Sequence, residues 1–71
     1  MDFEMTNEGS LYLLTLLTDE AKEWGECNVG EHQTWAGSIV VEPRYAESIA
    51  AGLLGDGFSG TLDGKELRLA A

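Results

Sequence analysis

The residues best suited to chemistry in this chain are its single cysteine, Cys27, and its single histidine, His32. Their spacing, Cys-x4-His, matches no zinc-site pattern, and any further ligands would have to be carboxylates. A thiolate–imidazole pair would need a third group to orient the base, and none stands at a recognisable position. The plainer reading is a half-buried thiol and a loop imidazole. Asp56-Gly57 and Asp63-Gly64 are superficially like pieces of a calcium loop. They lack its clustered Asp and Asn ligands and its closing Glu, so both read as turns. Gly52, Gly55, Gly57 and Gly60 follow a helical pattern, whereas a phosphate loop precedes its helix. Among 13 acids, no pair stands out for general acid–base work. The residue types therefore point away from an enzyme, and no metal or cofactor is expected.

Two features rise above that background. The first is a carboxylate row, Asp19, Glu20, Glu23 and Glu26, with Glu31 shortly after it. Such a row can stand in for phosphates and dock on a basic surface, with fast and salt-sensitive association. The plain alternative is a solvated face that keeps a small protein soluble. The second feature is aromatic. Trp24 and Tyr12 are candidate anchors for a partner, because aromatic side chains are enriched at interface hot spots. The plainer reading of Trp24 and Trp35 is core, since a thin core draws heavily on large side chains.

The elements that position these residues are limited by size and charge. The 71 residues make one domain, 1–71, with a modest core. Four Lys and Arg against 13 Asp and Glu give a net charge of −9. That excludes phosphate-directed binding of nucleic acid and attraction to an anionic membrane. The acidity is uneven. Residues 1–43 carry nine acids and one base, for −8, and residues 44–71 carry four acids and three bases, for −1. One cysteine allows no intramolecular disulfide, which fits a reducing cytoplasm. The acidic start, Met1-Asp2-Phe3-Glu4, is unlike a secretory signal, and the apolar runs are too short to cross a membrane.

The pattern predicts residues 1–9 as a loose leader ending in the turn residues Asn7-Glu8-Gly9. Residues 10–17 read as a strand, apolar on both faces. Thr18 is a natural helix cap, with Asp19 and Glu20 in the first turn, where the helix dipole favours negative charge. Ala21, Trp24 and Cys27 would form its narrow apolar stripe, and residues 28–34 a loop. Trp35 to Glu42 is β-branched and reads as a second strand. Pro43 suits the first turn of a second helix, with Tyr45, Ile49 and Leu53 spaced along one face and Gly55 at its end. Residues 58–62 and 65–69 flank Asp63-Gly64, the signature of a tight hairpin that pairs 62 with 65. The expected order is β-α-β-α-β-β, an α+β two-layer fold. Its small mixed sheet would hold up to three parallel strands, with both helices on one face.

The stretch Trp35-Ala-Gly-Ser-Ile-Val-Val-Glu-Pro-Arg-Tyr45 continues to Ile49, Gly52 and Asp56-Gly57. It resembles a pattern in short uncharacterised bacteriophage and prophage proteins. So does Leu13-Leu14-Thr15-Leu16-Leu17-Thr18 leading into Ala21-Lys22-Glu23-Trp24. The resemblance spans roughly residues 11–57 and implies an origin in a phage or mobile element. Phage genes of this size often encode inhibitors of host machinery, including anti-CRISPR and anti-restriction proteins. The function expected is accordingly a small acidic binding protein acting on a host nucleic-acid-binding complex. The alternative is a structural phage accessory protein that dimerises through its open sheet face or its edge strand at 65–70.

Overall fold

The computed structural model describes residues 1–29, 33–35 and 37–68. They form a two-layer α+β domain with a mixed sheet and two helices on one face. Its elements are β1 (Phe3–Asn7), β2 (Tyr12–Leu16), α1 (Asp19–Asn28), β3 (Gln33–Trp35), β4 (Ser38–Val41), α2 (Pro43–Gly55), β5 (Gly60–Leu62) and β6 (Lys65–Glu66). The sheet order is β3-β4-β2-β1-β5-β6.

The segment expected to be a loose leader is instead an inner strand. β1 pairs antiparallel with β2, placing Phe3 opposite Leu16 and Met5 opposite Leu14. On its other side it pairs parallel with β5, placing Phe3 beside Gly60 and Met5 beside Leu62. The physical reason is plain alternation. Phe3 and Met5 are buried, while Glu4 and Thr6 are exposed, which is the period of a strand with one covered face. Asn7-Glu8-Gly9 is a turn, as expected, but it joins two strands. Gly9 has φ +90°, and its N–H donates to Asn7 Oδ1 at 2.8 Å.

A second correction concerns the single strand expected over 35–42. Two short strands, β3 and β4, lie antiparallel here, with Trp35 opposite Ser38 and Gly37 at φ +84° between them. β3 takes the sheet edge, and β4 therefore returns antiparallel to β2. Among the described residues, the expected run of parallel strands reduces to one parallel pair, β1 with β5. The order is β-β-α-β-β-α-β-β.

The two helices and the hairpin lie close to where the pattern puts them. Thr18 caps α1, its hydroxyl accepting from Ala21 N–H at 3.2 Å. Pro43 opens α2, and Asp56 follows Gly55 as its C-cap. Asp63 and Gly64 have φ of 51° and 85°, the left-handed pair that a two-residue hairpin turn needs. Leu62 pairs with Lys65, and Leu67 N–H donates to Gly60 C=O at 2.9 Å, continuing the expected register.

One face of the sheet supplies the core. Phe3, Met5, Leu14, Ile39 and Val41 from the strands bury against Ala46 and Leu53 of α2. Glycine permits two close approaches. A Cβ on Gly25 would lie 2.6 Å from Leu16 Cδ1, so α1 sits low on β2. A Cβ on Gly60 would lie 2.5 Å from three carbons of the Phe3 ring, which is fully buried and has no room to retreat. Gly60→Ala is therefore expected to destabilise the domain by about 1–3 kcal/mol through overpacking. Urea unfolding checks this, with a lower midpoint at unchanged slope.

Candidate functional site

α1 carries the site predicted from the sequence. At about 100° per residue, Asp19, Glu20, Glu23 and Glu26 fall within an arc of about 120°, opposite the line through Ala21 and Gly25. Ala21 and Gly25 are the buried residues of α1, and all four carboxylates are exposed. The structure thus gathers these four onto one outer face. Glu31 lies outside the described residues, as does His32. Among the described residues the ion pairs are Arg44–Glu42 at 2.8 Å and Arg68–Glu66 at 3.5 Å, both exposed and neither on α1.

The two aromatic candidates sit differently. Trp24 is half-buried and packs against the core. Its ring lies over Gly52 of α2, where a Cβ would come within 3.0 Å of Cζ2. Its Nε1–H donates to Asp56 Oδ2 at 2.6 Å. Trp24 is therefore a brace between the helices. Tyr12 is also half-buried, on the helix-covered side of β2, opposite Val41. Neither side chain stands out from the acidic face. Cys27, expected to be half-buried, is exposed. It lies about 120° around the helix from the Ala21 line, whereas Gly25 lies about 40° from it.

Two carboxylates that the pattern did not single out hold this helix in place. Asp56 braces Trp24, as above. Asp2 ties three elements together. Its Oδ1 accepts from the Thr18 hydroxyl at 3.1 Å, steadying the cap of α1. Its Oδ2 accepts from Ser59 N–H at 2.9 Å, ahead of β5. These contacts cross 16 and 57 residues of chain, so no local signal could have revealed them.

The remaining sheet face carries Glu4, Thr6, Leu13, Thr15, Ser38, Val40 and Thr61, by the strand registers. Thr15 and Ser38 share a hydroxyl–hydroxyl hydrogen bond of 2.6 Å across β2 and β4. No helix among the described residues is long and apolar enough to cross a membrane. Among the described residues, no three His, Cys, Asp or Glu side chains are placed to hold a metal ion.

No family model matches the sequence. Comparison with curated proteins and with solved structures likewise found nothing similar.

The Asp2 carboxyl is held below its ordinary value of 3.8, first by the Ser59 N–H, which outweighs the opposing cost of desolvation, and to a lesser degree by the Thr18 hydroxyl. A depressed folded value means that the unfolded chain binds the proton more readily. The contribution of Asp2 to stability is therefore whole above 3.8 and is lost as pH falls through the lower, folded value. Asp2→Asn is expected to lower the urea midpoint near neutral pH. The gap to wild type should narrow as pH drops below 3.8.

Proposed function

We propose that this protein acts by binding, and that the outer face of α1 docks on a basic surface of a host nucleic-acid-binding complex. The observation that carries this reading is the gathering of Asp19, Glu20, Glu23 and Glu26 on one exposed face, apart from the ion pairs seen among the described residues. Four carboxylates along a helix present a line of negative charge, as a phosphate backbone does. A groove lined with Lys and Arg to hold nucleic acid would attract that line at long range. The net charge of −9 favours the same encounter. In this reading the protein is a phage-type inhibitor or modulator of the anti-CRISPR or anti-restriction kind, working in the host cytoplasm. It covers a nucleic-acid site and carries out no chemistry. Trp24 serves by bracing the helix against α2, and Tyr12 by packing into the core of the sheet.

The test is retention of host proteins from a bacterial lysate, with the wild-type chain and a Glu20→Lys, Glu23→Lys, Glu26→Lys variant each immobilised. A nucleic-acid-binding protein held by wild type at low salt, released at high salt and not held by the variant is the expected result. Added duplex nucleic acid should compete for that protein. A variant that retains the same proteins as wild type would remove the acidic-face mechanism.

A further inference from the structure

We infer that α1 is a charge-frustrated helix that opens as a unit ahead of the sheet, and that neutralising its outer carboxylates holds it closed. Three observations combine. The first is packing. The side of α1 that meets the sheet is built from Ala21 and Gly25, which bury very little apolar surface, whereas the strands bury Phe3, Met5, Leu14, Ile39 and Val41. The second is the brace. Trp24 is the large apolar side chain of α1, and it leans on Gly52 of α2 and on Asp56, the C-cap of that helix. Attachment of the helix thus depends heavily on one ring and one hydrogen bond.

The third observation is charge. Glu23 stands three or four residues from Asp19, Glu20 and Glu26, so it takes part in three like-charge neighbour pairs on the helix surface. Asp19 and Glu20 occupy the first turn, where the dipole favours them. Glu26 lies toward the opposite end, where the last turn has no base, and the single cation of α1, Lys22, stands at neighbour spacing from Asp19 and Glu26 but not from Glu23. The N-terminus is also the better anchored end, through Thr18 and Asp2. Regions with few buried contacts open below the global unfolding free energy, and repulsion within such a region lowers that opening further. The inference concerns the free chain and stands whether or not a basic partner exists. Were such a partner to cover the carboxylates, it would close the helix by the same effect.

Amide hydrogen exchange on the full chain, read residue by residue by NMR, tests this. The amides of residues 23–28 are expected to exchange at least tenfold faster than the paired amides of β1 and β2, after correction for intrinsic rates. Glu23→Gln removes three repulsions and should slow the α1 amides about three- to tenfold, leaving β1 and β2 unchanged. Trp24→Phe keeps a ring but loses the donor to Asp56, and should speed exchange in α1 selectively. A common opening free energy for α1 and the sheet would overturn the inference. So would a Glu23→Gln variant that leaves α1 exchange unaltered or shifts helix and sheet equally.

Discussion

The packing of Phe3 over Gly60 is the contact on which the rest of the fold depends. It sits where β1 and β5 run side by side in parallel. A bulky side chain and a bare backbone position meet there, so the ring fills the volume that a Cβ would have taken. The contact joins segments nearly sixty residues apart and carries the highest loop-closure cost in the sheet. Once it is made, Met5 falls beside Leu62 and opposite Leu14, and the inner strands share one covered face. The C-terminal hairpin extends that sheet through Gly60 and Leu67.

The same junction governs where charge can go. Asp2 directly precedes Phe3, and its carboxylate reaches both the residue before β5 and the cap of α1. The helix that carries the acidic face is thus started at the seam that closes the sheet. From there the division is geometric. Small residues line the contact with β2, one indole leans on α2, and the carboxylates take the remaining arc. The acidic face follows from a helix that has little apolar surface to bury and is placed by polar ties at its start and its middle.

How much of this was legible depends on how local each signal is. Thr18 before Asp19-Glu20, Pro43 after a β-branched run and Asp63-Gly64 between alternating segments each act within a few residues, and the elements they predict are present. The carboxylates of α1 followed from helical spacing alone. The inner position of β1 did not, although its signal was there. Phe3 and Met5 alternate with Glu4 and Thr6, but five residues cannot announce that a distant glycine waits beside them. The β3–β4 hairpin was hidden because Ser38 to Val41 also reads as one end of a longer strand. Trp24 illustrates the limit on sites. Its type and spacing suit a core residue first and an anchor second, and only the positions of Gly52 and Asp56 show that it braces two helices.

Residues Phe3–Asn7 form the middle of the sheet, and the rest of the fold is built on them. The most direct measurement is a heteronuclear NMR spectrum of the chain with residues 1–7 removed, set beside that of the whole chain. Loss of amide dispersion throughout the sheet and both helices is the predicted result, because β2 and β5 would each lose a neighbour and Gly60 would lose the ring that covers it. A dispersed spectrum that overlays the remaining resonances of the whole chain would show that the fold does not depend on β1.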